Sequence, residues 1–194
     1  MKKIVVFCGS SSGFNTVYKE AAVALGVYFA KHQIALVYGG GKIGMMGILA
    51  DTILALKGEV TGVIPSLLKR EEVVHPALTS LHVTKKMSDR KVIMSKLIDG
   101  YITLPGGFGT LDELFEALTL NQLNIEQKPV GLLNTNGFFN HTLQQLDTMV
   151  SEGFLTQDNR DLLLVDATVD GLMLQMKNYT PPNNTAIIHK IVRT

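Results

Sequence analysis

The sequence predicts an α/β fold in which one parallel sheet is covered by helices on both faces. Short apolar segments of strand length alternate along the chain with longer segments whose apolar residues recur at helical spacing. In addition, 194 residues with 46% hydrophobic content are enough to bury one substantial core. We therefore expect a single domain over residues 1–180, followed by a C-terminal tail over residues 181–194.

Each element is predicted from its own pattern, with strands assigned to apolar runs rich in β-branched residues. The predicted strands are Ile4–Cys8, Ala35–Tyr38, Val60–Ile64, Leu81–Thr84, Tyr101–Leu104, Val130–Leu133 and Leu162–Val165. The predicted helices are Thr16–Lys31, Ile43–Lys57, Ser88–Ile98, Thr110–Leu123, Phe138–Glu152 and Val169–Asn178. Because the two types alternate, the chain is predicted to form a Rossmann-like domain.

Composition argues against several classes of partner. The net charge is +1 and no extended block of Lys and Arg occurs, so we expect no nucleic-acid partner. No apolar run approaches the roughly 20 residues that span a bilayer, so we expect no membrane partner. The single cysteine, Cys8, excludes an internal disulfide and a cysteine-rich zinc site. The histidines, His75 among them, lack metal-ligand spacing, and we expect a polar surface or loop role for them. We expect a cytoplasmic protein that uses no cofactor or metal.

Small and flexible residues follow several of the predicted strands. Glycine-rich or serine-rich segments follow the first, second and fifth strands, at residues 9–13, 39–41 and 105–110, and a longer segment, residues 65–72, follows the third. Each segment alone is common at a strand-to-helix turn. In an open α/β sheet, however, all of them lie at the edge where ligands bind. Together they predict a ligand that carries phosphate.

The most informative segment runs from Pro105 to Glu113 and joins a glycine-rich turn to a helix. Its free N–H groups and the helix dipole favour an anion, and Thr110 adds a hydroxyl. Glu113, one turn into the helix, is our candidate for a catalytic carboxylate. A glutamate there would equally suit a purely structural role in which its charge complements the helix dipole. Asp112 and Glu116 are alternative candidates for the catalytic carboxylate. The pair Arg90-Lys91 would likewise suit a solvated helix face.

Two other phosphate-binding motifs fit less well. A P-loop requires Gly-Lys-Ser/Thr, but Gly109 is followed directly by Thr110. The segment Gly39–Gly44 satisfies the dinucleotide pattern G-x-G-x-x-G, yet the acid that follows, Glu59, precedes the next apolar run instead of ending it. We therefore interpret these glycines as a second phosphate cradle of one nucleotide site.

These motifs resemble the Lonely Guy family of cytokinin riboside 5′-monophosphate phosphoribohydrolases, also called lysine decarboxylase-like proteins. The family signature P-G-G-x-G-T-x-x-E matches Pro105 to Glu113, and the preceding Arg-Lys pair matches Arg90-Lys91. The resemblance is collinear over most of the chain. One difference is visible: the family's Met-His-Glu-Arg-Lys reads Met87-Ser88-Asp89-Arg90-Lys91 here, so any role of that histidine is absent.

The resemblance implies hydrolysis of the N-glycosidic bond of a nucleoside 5′-monophosphate, either a cytokinin riboside 5′-monophosphate or AMP. It implies that Glu113 and Arg90 are catalytic. It also implies that the substrate is bound by Glu72, Met87, Arg90, Lys91, Gly107, Phe108, Gly109, Thr110, Leu111, Asp112, Glu113 and Thr119. Family members are dimers or larger, so a homodimer is expected, and a helix face with Leu114, Leu118 and Leu123 is the candidate interface.

Two alternatives to this function remain at the level of sequence. The first is a nucleotide-binding sensor that keeps the fold without catalysis. The second is a pyridoxal phosphate decarboxylase, which would require a Schiff-base lysine that no motif marks in this chain. The residues do not distinguish adenine from a prenylated adenine as the base.

Overall fold

The strands form one sheet in the computed structural model, which describes residues 1–69 and 73–182. Seven parallel strands lie in the order β4-β3-β2-β1-β5-β6-β7. They are β1 (Lys3–Phe7), β2 (Ala35–Tyr38), β3 (Val60–Pro65), β4 (Ser80–Thr84), β5 (Gly100–Thr103), β6 (Val130–Leu133) and β7 (Leu163–Asp166). The order reverses between β1 and β5, so the switch point at which such sheets bind ligands lies there.

The helices cover both faces of this sheet. They are α1 (Thr16–Lys31), α2 (Gly44–Ala55), α3 (Met87–Lys96), α4 (Phe108–Gln122), α5 (Asn140–Ser151), α6 (Gln157–Arg160) and α7 (Val169–Lys177). Helices α1, α2 and α7 contribute buried residues to one core cluster, and α3, α4 and α5 contribute to the other. The predicted α/β class with helices on both faces is therefore confirmed.

The central strands are buried on both faces because they separate the two core clusters. Along β1, Ile4 and Val6 pack toward α1 and α2, whereas Val5 and Phe7 pack toward α3 and α4. This two-sided burial explains why β1 reads as a continuous apolar run. Strand β4 lies at the edge of the sheet and is mostly exposed, which explains its weaker sequence signal.

The predicted elements are present, with boundaries that differ by a few residues. Helix α4 begins at Phe108 instead of Thr110, because the glycine turn closes earlier than the apolar pattern suggests. The short helix α6 was not predicted, since four residues are too few to show a period. Apart from residues 181 and 182, the tail that we expected over residues 181–194 lies outside the described residues. Within the described part of the chain, no helix has the length and apolar character that crossing a membrane requires.

Candidate active site

The loops that follow β1 and β5 touch each other at the switch point. The N–H of Gly9 donates a hydrogen bond to the carbonyl oxygen of Pro105, with 3.1 Å between nitrogen and oxygen. Gly106 packs so closely that an added Cβ would lie 2.8 Å from the nitrogen of Gly9 and 2.1 Å from Oγ1 of Thr110. Only glycine fits at position 106 without rearrangement, and the two loops form one continuous floor.

The first turn of α4 presents an open surface above this floor. A Cβ on Gly107 or Gly109 would meet no heavy atom within 4 Å, and Phe108 between them is 95% exposed. Thr110, in contrast, is buried beneath the turn against Gly106, and Leu111 is half-buried. The backbone N–H groups at the start of the 15-residue helix α4 therefore border an accessible space suited to an anion.

Arg90 and Glu113 meet at the edge of this space although they belong to different helices. Nη2 of Arg90 lies 3.1 Å from Oε1 of Glu113, and both side chains are largely buried. The Nε group of Arg90 donates to the carbonyl oxygen of Val63 at the end of β3, and Nη1 lies 3.5 Å from Sδ of Met87. Arg90 is thus held from several sides and orients the carboxylate of Glu113.

The position of Glu113 changes its protonation. Burial raises the pKa of Glu113 above its usual value, and the positive charges of Arg90 and then Lys91 oppose this without cancelling it, while Asp112 and Glu116 add to the rise. The neighbouring thiol of Cys8 is also buried, and burial followed by the charge of Glu113 raises its pKa strongly. With its pKa raised, the carboxylate of Glu113 is a stronger base toward a proton than an ordinary glutamate.

Lys91 joins α3 to α4 beside this pair. Its Nζ lies 2.7 Å from Oδ2 of Asp112 and also pairs with Glu116. Burial alone would lower the pKa of Lys91, but its hydrogen bonds to Asp112 and Glu116 and the charges of both carboxylates raise it. Lys91 therefore stays cationic one residue from Arg90, and Asp112 is engaged with it while remaining largely exposed.

The turn that follows β2 lies against Arg90 from the opposite side. A Cβ on Gly39 would lie 2.7 Å from Nη2 of Arg90, so the backbone of the turn contacts the guanidinium directly. At the start of α2, Gly44 has a positive φ of 62°, and a Cβ there would overlap the backbone of Ser10. In a dinucleotide-binding fold the glycine fingerprint follows the first strand, at the switch point. The pattern Gly39–Gly44 follows β2 instead, which argues further against a dinucleotide site.

A groove runs from Glu113 between α3 and α4. Its volume is about 300 Å³, and its lining residues include Phe7, Lys91, Val92, Met94, Tyr101, Glu113, Ala117, Leu120 and Ile125. At the far end, the carboxylate of Glu126 accepts hydrogen bonds from Ser95 and Tyr101 and lies 3.4 Å from Nζ of Lys128. The groove is therefore mostly apolar, with a charged group at each end.

Most of the residues implied by the resemblance converge, but two do not. Thr119 is exposed on another face of α4, where its hydroxyl donates to the carbonyl oxygen of Phe115 and it lines a cavity against α5 and α6. Within one chain it therefore does not face the same space as Glu113. Glu72 lies outside the described residues.

One pair was missed by sequence reasoning. The sequence suggested a surface or loop role for His75, but this residue is 6% exposed, and its Nε2 lies 2.9 Å from Oδ1 of Asp51. The two residues are 24 positions apart, and no short motif connects them. In the described ranges, no group of three or more His, Cys, Asp or Glu residues is placed to hold a metal ion.

Comparison with known proteins shows the family to which this chain belongs. A family model described as "Possible lysine decarboxylase" matches residues 46–176, which include Arg90, the glycine turn and Glu113. A cytokinin riboside 5′-monophosphate phosphoribohydrolase from Oryza sativa subsp. japonica is 40% identical over 187 residues, covering 96% of this chain and 77% of that protein. The chain belongs to this family, the Lonely Guy family.

Further relatives extend the likeness. A Lonely Guy protein from Arabidopsis thaliana with the same enzyme name is 41% identical, with 93% of this chain and 84% of that protein covered. Among solved structures, the molybdenum cofactor binding protein from Rippkaea orientalis superposes with a TM-score of 0.69 at 22% identity. That alignment covers 92% of this chain and 97% of the other, and it shows a shared fold.

Proposed function

We propose that this Lonely Guy protein hydrolyses the N-glycosidic bond of a nucleoside 5′-monophosphate, releasing the free base and ribose 5-phosphate. The observation that carries the proposal is the ion pair of Arg90 and Glu113, 3.1 Å apart, beside the open turn at Gly107 and Gly109. The enzyme names of relatives about 40% identical to the chain support the same reaction.

Glu113 has the properties that this reaction requires of a carboxylate. Breaking the bond from C1′ to the base nitrogen develops positive charge on the ribose ring, which an adjacent carboxylate stabilises. Water then adds its oxygen to C1′, and the proton that it loses passes to Glu113 and finally to the departing base. The raised pKa of Glu113 suits it for this transfer, and Arg90 keeps the carboxylate in place.

The turn at Gly107–Thr110 is proposed to bind the 5′-phosphate. Its open backbone and the start of α4 offer N–H donors to an anion. Phosphate binding there is remote from the reacting carbon, so its binding energy holds the sugar against Glu113. Gly107, Phe108 and Gly109 form the exposed surface, whereas Thr110 and Leu111 support it from within.

The groove between α3 and α4 is proposed to receive the base. It begins at Glu113, and apolar side chains such as Phe7, Ala117 and Leu120 line most of it. Such a lining favours a base with an apolar substituent, as in a cytokinin, over unsubstituted adenine, as in AMP. Comparing kcat/KM for AMP and its N6-isopentenyl derivative tests this preference. The variant Leu120→Trp, which fills the groove, should remove this preference. The variant Leu174→Trp, at an exposed position of α7, should not.

A homodimer is proposed through α4, but not through the face considered from sequence. Leu114 is completely buried within its own chain and cannot contact a second copy. Phe115, Thr119 and Leu123 instead form an outer stripe at four-residue spacing, and the two apolar members are 37% and 41% exposed. Contact along this stripe would place Thr119 against the partner subunit. There it could contact a substrate bound in the partner's site, although it does not face the site of its own chain.

The cell compartment is part of the same proposal. A cytoplasmic location is supported by the chain's one cysteine, Cys8, which is buried and free.

The decisive experiment is a panel of nucleoside monophosphates assayed for released base. The proposal expects free base and ribose 5-phosphate in equal amounts from at least one purine monophosphate. A protein that binds a monophosphate without releasing base would instead be a nucleotide sensor. Visible absorbance from a bound pyridoxal group in the pure protein would point to the decarboxylase class.

A further inference from the structure

The connection between β3 and β4 returns to the glycine turn that contacts Arg90. The N–H of Lys42 donates to the carbonyl oxygen of Val73, and the N–H of His75 donates to that of Gly40, both at 2.9 Å. Between these bonds, Gly41 and Val74 form an isolated antiparallel bridge. Residues 73–75 therefore pair with the turn as a short strand would, although they lie outside the sheet.

The ring of His75 fixes this connection to a second element. Its Nδ1 lies 3.2 Å from the N–H of Ala77 and accepts that hydrogen, so the ring proton is on Nε2. Nε2 then donates to Oδ1 of Asp51 on α2, 2.9 Å away. Because the ring is buried while Asp51 is largely exposed, the imidazole reaches outward and joins residues 73–77 to the helix that follows the turn.

The turn held in this way is the one that supports Arg90. The backbone of Gly39 contacts Nη2 of Arg90 so closely that an added Cβ would lie 2.7 Å from it. The same Nη2 is 3.1 Å from Glu113. Movement of the turn toward or away from Arg90 therefore changes the space available to the guanidinium, which is the partner of the candidate catalytic carboxylate.

We propose that His75 and Asp51 form a clamp that positions the Gly39–Gly41 turn behind Arg90 and thereby keeps Arg90 on Glu113. This inference rests on the proposed function for its effect on catalysis, but the clamp itself is independent of substrate. His75 is a positioning residue in this scheme, since it touches neither Glu113 nor the open turn at Gly107 and Gly109.

Hydrogen exchange tests the clamp without an assay of enzyme activity. In His75→Ala and Asp51→Ala, the Lys42 amide should exchange at least about tenfold faster than in the unaltered protein, because local opening becomes easier. Asp51→Asn retains an oxygen acceptor for Nε2–H and should restore slow exchange. His82→Ala, which removes an exposed histidine from β4, is the matched control and should leave the amide unchanged. Unchanged exchange in His75→Ala would overturn the clamp.

The pH profile of base release tests the effect on Glu113, which is surrounded by Arg90, Lys91, Asp112, Glu116 and the thiol of Cys8. Burial raises the pKa of Glu113, and a displaced Arg90 opposes that rise less. The acidic limb of the kcat/KM profile of His75→Ala should therefore move to higher pH, by up to about one unit. Leu146→Ala on α5 destabilises the core elsewhere and should leave the limb in place. An unshifted limb in an active His75→Ala protein would overturn the catalytic role. If the unaltered protein releases no base, the proposed function is wrong, but hydrogen exchange still tests the clamp.

Discussion

Arg90 on α3 and Glu113 on α4 are 23 positions apart in sequence, yet their side chains meet with 3.1 Å between Nη2 and Oε1. The pair is largely buried, and Arg90 also bonds to the backbone of β3. Its strength therefore depends on two helices and one strand being in place together. A carboxylate held in this way keeps one orientation at the groove between α3 and α4.

Replacing either member of this pair should remove catalysis while preserving the fold. Glu113→Gln keeps the size of the side chain but cannot accept a proton, so kcat/KM should fall by about 10²- to 10⁴-fold. Arg90→Ala should cause a comparable loss because Glu113 is no longer oriented. Assays of released base give the activity, and circular dichroism gives the fold. A folded variant of either residue with near-normal turnover would contradict the assignment.

The stability of the protein should depend on pH through Glu113. Its pKa is higher in the folded chain than in the unfolded chain, so over the intervening pH range the folded state binds more protons. Stability is therefore lost as the pH rises through the folded pKa. The glutamine in Glu113→Gln does not titrate, so the Tm of this variant minus that of the unaltered protein should increase as the pH rises above the ordinary glutamate pKa of about 4.3. A difference that is constant, or that falls with pH, would show that the pKa is not raised.

Alanine substitutions should distinguish the exposed glycines of the turn, Gly107 and Gly109, from the closely packed Gly106. Gly107→Ala and Gly109→Ala place a methyl group in open space, so KM for the monophosphate should rise. Gly109 lies inside α4, so its replacement should leave Tm unchanged or slightly higher. Gly107 is the N-cap, where alanine is less favourable, so its replacement should lower Tm slightly. Gly106→Ala would place Cβ against Thr110 and should lower Tm. Thermal melts and steady-state kinetics on the three variants measure this contrast. Unchanged KM in both Gly107→Ala and Gly109→Ala would remove the phosphate from this turn.

The 5′-phosphate should be required for efficient hydrolysis. Each hydrogen bond to a charged phosphate contributes about 1.5–3 kcal/mol, so the loss of several should lower kcat/KM by orders of magnitude. AMP and adenosine, or the corresponding prenylated pair, are compared under identical conditions. NAD should be neither cleaved nor reduced, because the glycine pattern after β2 lacks a suitably placed ribose acid. Equal rates for nucleotide and nucleoside would refute the phosphate interpretation.

The outer stripe of α4 should control assembly. Phe115→Glu and Leu123→Glu place charge on the proposed interface and should convert a dimer to monomers in sedimentation experiments. Leu174→Glu on α7 changes a residue that is also exposed and should leave the dimer intact. A wild-type monomer would contradict dimerisation itself, whereas a dimer that survives both stripe variants would exclude only this interface.

The sequence was sufficient for the fold because its strands and helices depend on local signals. The strand Val130–Leu133 and the helix Thr16–Lys31 were predicted with the bounds that the structure has, since period and burial agree there. The proximity of the glycine turns followed from the parallel topology alone. Those signals are properties of neighbouring residues and do not require the tertiary structure.

Long-range pairing could not be predicted in the same way. His75 looked like a surface histidine because nothing near it in sequence indicates burial, and its partner Asp51 lies on another element. Thr119 was placed at the substrate by resemblance, whereas helix geometry turns it away from Glu113 within one chain. The pairing of Arg90 with Glu113 likewise depends on the contact of α3 with β3, where Nε of Arg90 donates to the carbonyl oxygen of Val63.

The position of β5 beside β1 has a consequence for how the protein is made. During synthesis, β1 to β4 are complete by Thr84, yet β1 keeps an unpaired edge until residues 100–103 have emerged and added β5. Such an edge offers its N–H and C=O groups to other chains. Chains interrupted before residue 100 should therefore aggregate, and they lack the Gly9–Pro105 contact as well as Glu113. Folding competence and the candidate catalytic site are thus acquired within the same short interval of elongation.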